Sequence, residues 1–273
     1  MTLDRAEAAH VATATVAILN DGRYTAPDGL QVEIAGAIAA AVAGTVAYPP
    51  EAPLPAVAPG HQTTEFTVRN ETTLVAAQRL AEAGQRPVAL NFASAKRPGG
   101  GFLNGALAQE ESLARSSGLY ACLAGNAMYA YHRQRKDSMY SDYAIYSPAV
   151  PVFRRDDGTL LEAPYACAFI SAPAPNATAL RRHGGRRLRR AIPALAARIA
   201  KVLAIGAAHG HDTIILGAWG CGVFGNDPRT VAALFSAALT GPFAGVYARV
   251  AFAVLDSSPD RRFIEPFERA FAL

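Results

Sequence analysis

Two glycine-rich segments, each shortly after a short apolar run, most constrain how this chain folds. The first contains Gly99, Gly100 and Gly101, a few residues after the apolar run 88–92. Three consecutive glycines carry a large backbone entropy cost, which a folded protein tolerates where side chains would block positive φ angles or the close approach of a ligand. A glycine loop at the carboxyl end of a buried strand predicts a ligand crevice.

Polar and acidic side chains follow the first glycine loop after an apolar spacer. They are Gln109, Glu110 and Glu111. Adjacent glutamates point about 100° apart on a helix, so the two carboxylates are expected to have different functions. The alternative is a solvated first helical turn favoured by the helix dipole. Neither the P-loop pattern nor the dinucleotide fingerprint fits this spacing, because no Gly-Lys-Ser/Thr follows and no helix opens directly on the glycines.

The second glycine loop, residues 219–226, follows a short β-branched run and precedes a helix with Pro228 in its first turn. Backbone amides at such a junction are free to bind a phosphate, so the two loops together could hold a diphosphate. A tight turn packed by Trp219 and Phe224 is the alternative. Cys221 is flanked by glycines and could be a nucleophile, but no histidine lies near it in the sequence.

The residues around both loops carry a family resemblance. The segment from Asn91 to Tyr120 reads NFASAKRPGGGFLNGALAQEESLARSSGLY, and the segment from Leu216 to Asp227 reads LGAWGCGVFGND. Together they resemble the bacterial-type poly(ADP-ribose) glycohydrolases, which are related to macrodomains, and the resemblance runs from about Arg5 to the C-terminus. It implies an α/β protein with a three-layer α/β/α macrodomain-like fold, a mixed sheet and an N-terminal extension. The implied reaction is hydrolysis of ribose–ribose O-glycosidic bonds with release of ADP-ribose, without a metal or cofactor.

The resemblance also implies residue roles. Glu111 is the general acid/base, Glu110 fixes the ribose hydroxyls, and Gln109 orients the scissile sugar. The substrate-binding residues are Gly99, Gly100 and Gly101 on one side and Gly220, Cys221, Gly222, Val223, Phe224, Gly225 and Asn226 on the other, with Phe224 packed on the ribose. Ser94 stands where animal members carry an asparagine that contacts the ribose, and its shorter side chain has fewer donors. Tyr131, Tyr143, Tyr146 and Phe252 are weak candidates for adenine binding.

Alternating strand and helix patterns predict the layered architecture. A helix is predicted over residues 4–20, a second over 109–123, and a long helix over 188–209 interrupted near Pro193. Residues 144–152 are predicted as strand pieces broken by Pro148 and Pro151. The proline-rich stretch 49–59 predicts a boundary between an N-terminal helical accessory segment, residues 1–60, and a catalytic domain, residues 61–273.

Composition narrows the partners and the compartment. The formal net charge is +4, and part of it lies in an arginine-rich stretch from Arg181 to Arg190 that could contact a polyanion weakly or be a solvated helix entrance. Three widely spaced cysteines predict neither disulfides nor a zinc site. The N-terminus has acidic residues where a signal peptide is basic, and the alanine-rich stretch 35–47 is shorter than a membrane span. We expect a cytoplasmic monomer that acts on poly(ADP-ribose) or ADP-ribosylated protein, with no membrane partner.

Other functions remain open at this stage. The first alternative is a non-catalytic ADP-ribose-binding macrodomain, which needs both loops but not the two acids. An enzyme that removes single ADP-ribose units from protein or nucleic acid lies between the two hypotheses. A nucleotide-dependent transferase is disfavoured because the P-loop and dinucleotide patterns are missing.

Overall fold

The computed structural model describes residues 3–135, 137–182 and 188–271. Within this part of the chain, seven strands form one mixed sheet in the order β3-β6-β7-β5-β8-β9-β4. Their bounds are Val46–Tyr48 (β3), Glu65–Arg69 (β4), Val88–Phe92 (β5), Ala144–Arg154 (β6), Leu160–Ala172 (β7), Thr213–Leu216 (β8) and Arg249–Ala253 (β9). A separate antiparallel hairpin contains β1 (Arg23–Thr25) and β2 (Gln31–Glu33).

The five strands from β7 to β4 run parallel, whereas β3, β6 and β7 pair antiparallel. The described helices are α1 (Arg5–Asp21), α2 (Ala35–Ala43), α3 (Thr73–Glu82), α4 (Gln109–Ser116), α5 (Leu119–Leu123), α6 (Ala127–Arg133), α7 (Ala177–Arg181), α8 (Ala191–Ala208), α9 (Pro228–Thr240) and α10 (Glu265–Ala270). The predicted three-layer fold with a mixed sheet is confirmed.

The central strands bury side chains on both faces of the sheet. On β5, Val88 and Leu90 face a cluster completed by Leu195 and Ile199 of α8 and by side chains of α9. The intervening Ala89 faces the opposite cluster, which includes residues of α3, α4, α5 and α6. Because side chains alternate along a strand, this arrangement explains why the central strands are apolar without interruption.

Helix α8 has the length and mean hydropathy of a membrane span, but more than half of its residues are buried inside the molecule. It packs against β7 and α9. Lys201 and Arg198, both nearly fully buried, interrupt its apolar surface and donate hydrogen bonds to backbone carbonyls. These features are typical of a core helix in a globular protein.

The N-terminal helix forms as its sequence predicts. Asp4 accepts hydrogen bonds from the amides of Ala6 and Glu7, and the Glu7 carboxylate accepts one from the Asp4 amide, which completes a capping box. Gly22 ends the helix with a φ of 71°. The accessory segment packs closely on the rest of the chain, because α1 contacts α4 and β3 joins the main sheet beside β6. The division at residue 60 stays a prediction.

Two local predictions were wrong, and a third was confirmed. Residues 144–154 form one strand rather than broken pieces, because a bulge between Ser147 and Val150 takes up Pro148. The predicted helix 109–123 is two helices, because Ser117 forms a β-bridge with Val152 between them. The predicted interruption near Pro193 is observed, because residues 188 and 189 are helical, Arg190 lies in a turn and α8 begins at Ala191. Pro193 therefore lies in the first turn of α8, where its missing N–H costs nothing.

Candidate active site

The two glycine loops meet at one edge of the sheet. They follow β5 and β8, which are adjacent parallel strands, so their carboxyl ends lie side by side. A cleft of about 900 Å³ opens between the loops. Of the predicted site residues, the cleft is lined by Ser94, Gly100, Gly101, Gln109, Glu110, Glu111, Gly220, Gly222, Val223 and Phe224.

The first loop turns tightly against the two acids. Gly100 has a φ of 62°, a conformation that L side chains rarely adopt. A Cβ atom at this position would also collide with the carboxylates of Glu111 and Glu110. The positive φ therefore favours glycine here, and a side chain at this position would displace the carboxylates of the two acids.

The N-terminal helix supports the first loop from outside. Gly105, at the end of the 3₁₀ turn Phe102–Asn104, lies against the Arg5 carbonyl so closely that a side chain would not fit. The Arg5 guanidinium donates a hydrogen bond of 3.1 Å from Nε to the Asn104 carbonyl. Thr15, buried on the same helix, donates one to the carbonyl of Arg115 on α4. Helix α1 therefore positions both the loop and the helix that bears the acids.

Glu111 lies in the first turn of α4 and lines the cleft. Its Oε1 accepts a hydrogen bond of 2.8 Å from the Gly101 amide, which joins the acid directly to the glycine loop. Its Oε2 has no hydrogen-bond partner among the described residues. This carboxylate is thus anchored through one oxygen and leaves the other for a group that enters the cleft.

Glu110 is buried beside it, with 3% of its surface exposed. Its Oε2 accepts a hydrogen bond of 2.6 Å from the Ser94 amide, whereas its buried Oε1 has no partner among the described residues. Burial raises the pKa of Glu110 well above its ordinary value of 4.5; the Ser94 hydrogen bond opposes this, and the charge of Glu111 adds to it. The two adjacent acids are therefore in different environments, as their angular separation on the helix predicts.

The side-chain amide of Gln109 forms hydrogen bonds with other residues of the protein. Its Oε1 accepts a hydrogen bond of 2.8 Å from the Phe92 amide, and its Nε2 donates to the Leu90 carbonyl at 2.8 Å and to the Thr73 hydroxyl at 3.1 Å. These contacts fasten the start of α4 to the end of β5. They give Gln109 a positioning function, and its predicted contact with the scissile sugar stays a prediction.

Ser94 connects the end of β5 to the two acids. Its amide holds Glu110, while its hydroxyl oxygen accepts hydrogen bonds from the amides of Lys96 at 3.3 Å and Arg97 at 3.2 Å. Ser94 also lines the cleft. Serine at this position therefore shapes the turn that leads into the glycines.

The second loop presents unpaired backbone donors. The amides of Gly222, Val223 and Phe224 make no hydrogen bond to another described residue, and Val223 is 81% exposed. The loop is braced behind this surface by Asn226, whose Nδ2 donates to the carbonyls of Pro175 at 2.9 Å and Gly220 at 3.2 Å. Free amides next to the start of α9 are suited to bind an anion.

Four predicted binding residues do not line the cleft. Gly99 packs against Phe102 and Ala114, and Gly225 packs against Thr178 and Arg181 on α7. The side chains of Cys221 and Asn226 are buried below the loop. Burial raises the pKa of the Cys221 thiol, and the nearby Asp227 raises it further, which disfavours the thiolate that a nucleophile requires. Substrate contacts through these four residues stay predictions.

Sequence reasoning missed several residues of the cleft. Asp156, in the turn between β6 and β7, accepts hydrogen bonds of 2.6 Å from the hydroxyls of Ser112 and Thr72. Arg115 is buried and donates to the Ala106 carbonyl; burial lowers its pKa, and Glu111 and Asp156 raise it. Nothing local in the sequence marks these residues, because β6, α3 and α4 bring them together only in the folded chain.

The weak adenine candidates lie elsewhere. Tyr143, Tyr146 and Phe252 are buried in the core, and none of the four predicted aromatic residues lines the cleft. The aromatic side chains that line it are Phe92, Tyr140, Trp219, Phe224 and Phe263. Tyr140 has a φ of 55° and its ring lies 6.0 Å from that of Phe224, so a strained residue extends the second loop's aromatic wall.

No group of three or more metal-ligating side chains occurs among residues 3–135, 137–182 and 188–271.

Of the arginine-rich stretch that ends at Arg190, residues 183–187 lie outside the described part. At its start, the Arg181 guanidinium donates a hydrogen bond of 2.7 Å to the Gly225 carbonyl. This residue therefore supports the second glycine loop.

Comparison with known proteins identifies the family. The model described as the catalytic domain of microbial-type PARG, where PARG denotes poly(ADP-ribose) glycohydrolase, matches residues 12–155. A crystal structure of poly(ADP-ribose) glycohydrolase from Thermomonospora curvata is 51% identical, with a TM-score of 0.92, over 98% of this chain and 100% of that one. A structure of that enzyme bound to the inhibitor ADP-HPD has a TM-score of 0.88 at 50% identity and the same coverage.

A structure with lower sequence identity is also that of a poly(ADP-ribose) glycohydrolase. The poly(ADP-ribose) glycohydrolase from Deinococcus radiodurans, in complex with ADP-ribose, is 43% identical, with a TM-score of 0.81, over 88% of this chain and 98% of that one. No curated protein matches the chain significantly. The family model covers more than half of the chain and the structural matches cover nearly all of it, so the chain belongs to the microbial-type poly(ADP-ribose) glycohydrolases.

Proposed function

We propose that the cleft hydrolyses the ribose–ribose glycosidic bonds of poly(ADP-ribose), with Glu111 as the general acid/base. The observation that carries this proposal is the position of Glu111, which lines the cleft and is joined through the Gly101 amide to the first glycine loop. Relatives that match nearly the whole chain are poly(ADP-ribose) glycohydrolases, one of them bound to ADP-ribose. The family match and the site geometry therefore support the same reaction.

The reaction needs one proton donor and stabilisation of an oxocarbenium-like centre. Protonated Glu111 donates its proton to the departing ribose oxygen, and its carboxylate then takes a proton from the attacking water. The anchored Oε1 fixes the orientation of the carboxyl group, and Oε2 is the oxygen that exchanges the proton. A single acid is sufficient when the substrate's own diphosphate stabilises the positive centre electrostatically.

Glu110 binds the ribose hydroxyls in this proposal. Its carboxyl group is anchored by the Ser94 amide and packed below Gly100. Its raised pKa indicates that it holds a proton more tightly than an exposed glutamate does. A carboxyl group in this position can accept hydrogen bonds from sugar hydroxyls, and in its protonated form it can also donate one.

The second loop binds the diphosphate. The unpaired amides of Gly222, Val223 and Phe224 provide donors, and the N-terminus of α9 adds a positive potential. Phe224 lines the same wall and packs on the ribose. A reader module would need this loop as well, but it would not need an acid anchored at the opposite wall, so the geometry favours hydrolysis over binding alone.

The compartment, the oligomeric state and the partners are also part of this proposal. We infer a cytoplasmic enzyme, because the three cysteines are free and buried and a reducing compartment suits them. We also infer that it acts as a monomer, because one chain supplies both loops and both acids. A weak polyanion contact through the stretch from Arg181 to Arg190 remains part of the proposal; poly(ADP-ribose) or ADP-ribosylated protein is the partner, and ADP-ribose is the product.

The test compares Glu111→Gln with wild type on automodified poly(ADP-ribosyl)ated protein. Glutamine keeps the shape but cannot donate and recover the proton, so we expect release of ADP-ribose to fall at least ~100-fold. ADP-ribose affinity, measured by calorimetry, should change by less than about threefold because the loops are intact. Glu33→Gln, on the remote β2, is the control and should behave as wild type. Unchanged hydrolysis in the Glu111 variant would contradict the assigned role.

A further inference from the structure

We propose that a basic surface made of Lys96, Arg97 and Arg133 binds the phosphates of the polymer segment that departs on cleavage. The segment meant is the part of the chain beyond the scissile bond, on the side of the oxygen that receives the proton. This inference rests on the proposed function and adds a second binding region to it. The partner is the substrate polymer itself.

The basic surface lies on the turn between the two acid anchors. The turn begins at Ser94, whose amide holds Glu110, and ends at Gly101, whose amide holds Glu111. It is rigid, because the Ser94 hydroxyl accepts hydrogen bonds from the Lys96 and Arg97 amides and the Arg97 carbonyl accepts one from Gly100 at 3.0 Å. Lys96 and Arg97 both line the cleft, on the turn that joins the two acid anchors.

Arg133 joins this surface from the last turn of α6. Its Nη1 donates a hydrogen bond of 3.1 Å to the Lys96 carbonyl, and the residue is exposed. One of its five donors is used, so most of the guanidinium remains available. None of the three cations lies within 4.0 Å of a carboxylate in the described part of the chain. Three neighbouring cations that form no salt bridge are suited to a polyanion.

The departing segment fits this surface better than the unit bound in the cleft does. The diphosphate of the bound unit faces the free amides of the second loop. The departing segment starts at the oxygen that Glu111 protonates, and each of its units carries a diphosphate of its own. The first of these diphosphates therefore lies just beyond the acid pair, where the basic turn is. Exposed cations bind phosphate through contacts that solvent and salt weaken, which suits a product that must leave.

The experiment uses two substrates with the same scissile bond. One is long poly(ADP-ribose), and the other is ADP-ribose joined through its distal ribose to the 2′-oxygen of adenosine, whose leaving group has no phosphate. The variants are Lys96→Gln/Arg97→Gln and Arg133→Gln. Arg23→Gln is the matched control, because it removes one exposed cation on β1. Kinetics are measured between about 50 and 200 mM salt, together with calorimetric affinity for ADP-ribose.

For the double variant we expect KM on the polymer to rise about tenfold at low salt, since each exposed phosphate contact is worth a few-fold. The slope of log KM against log salt should become shallower by about 1.4 to 2 units, because two cations are removed. The Arg133 variant should show a smaller rise of the same kind. Neither variant should alter kcat, hydrolysis of the adenosine substrate, ADP-ribose affinity or melting temperature, and the Arg23 control should match wild type.

Three outcomes would overturn the inference. Equal losses on both substrates, or weaker ADP-ribose binding, would show that these cations serve the bound unit or the acids. An unchanged KM and salt slope on the polymer would show that the surface is not used. Wild-type protein that cleaves neither substrate would instead overturn the proposed function, and with it the departing segment on which the inference depends.

Discussion

Replacement of Gly100 by alanine tests the contact between the glycine loop and the two acids. Alanine at a φ of 62° costs roughly 1–2 kcal/mol because its Cβ crowds the backbone. The same Cβ would overlap the carboxylates of Glu111 and Glu110. Displacement of Glu111 from the Gly101 amide removes a charge-assisted hydrogen bond worth about 1.5–3 kcal/mol. The expected loss of stability is therefore about 2.5–5 kcal/mol.

The catalytic effect follows from the same displacement. A shift of about 1 Å in a catalytic group costs on the order of 100-fold in rate. We expect Gly100→Ala to lower kcat/KM for ADP-ribose release from poly(ADP-ribose) by about that factor. The melting temperature should fall by roughly 10 °C, since 1 kcal/mol corresponds to a few degrees in a protein of this size.

Gly84→Ala is the matched control. Gly84 has a φ of 75° at the end of α3, but a Cβ there would meet nothing within 4 Å. It carries the backbone cost without the collision, so we expect a loss of about 1 kcal/mol and unchanged kcat/KM. If Gly100→Ala keeps activity within about threefold of this control, the acids do not depend on the loop as described.

Three further predictions concern neighbouring residues. Gln109→Ala should lower kcat about tenfold and the melting temperature by several degrees, because it removes the fastening of α4 to β5; Gln78→Ala, which loses only an exposed contact with Glu82, should do neither. The Glu110→Gln variant should gain stability relative to wild type as pH rises from about 5 to 8. Folding raises the pKa of Glu110, so this carboxyl group stabilises the wild-type protein at pH values below its ordinary pKa of 4.5 and loses that contribution at higher pH. A difference in melting temperature that does not change with pH would contradict the raised pKa. Cys221→Ala should keep kcat/KM within about threefold, because burial raises the pKa of that thiol and rules out an easily formed thiolate; a loss of 100-fold or so would restore the nucleophile hypothesis.

Local sequence signals predicted the parts of the fold that local physics controls. The capping box at Asp4 and the glycine at position 22 define both ends of α1, since side-chain caps and positive φ act within one turn. The apolar runs that became β5 and β8 are buried on both faces, as parallel central strands must be. Both glycine loops follow these strands, so the sequence predicted where the cleft lies.

Predictions failed where a distant segment decides the outcome. Helix α4 ends at Ser116 because the next residue, Ser117, bridges to Val152 about 35 positions away. Pro148 stays within β6 because a bulge and the neighbouring strands accommodate it. Helical periodicity and proline positions report local preference only, and tertiary pairing overrides such preferences when it satisfies more backbone groups.

By itself, the sequence determined the family, the alternation of strands with helices, the two glycine loops and the position of Gln109, Glu110 and Glu111 after the first of them. Only the tertiary structure decided how these three differ: one fastens two elements, one is buried with a raised pKa, and one lines the cleft. It also brought Asp156 and the Lys96–Arg97 turn to the same cleft. The physical reason is that burial, charge interactions and hydrogen-bond partners depend on segments far apart in the chain, which no local pattern of residues records.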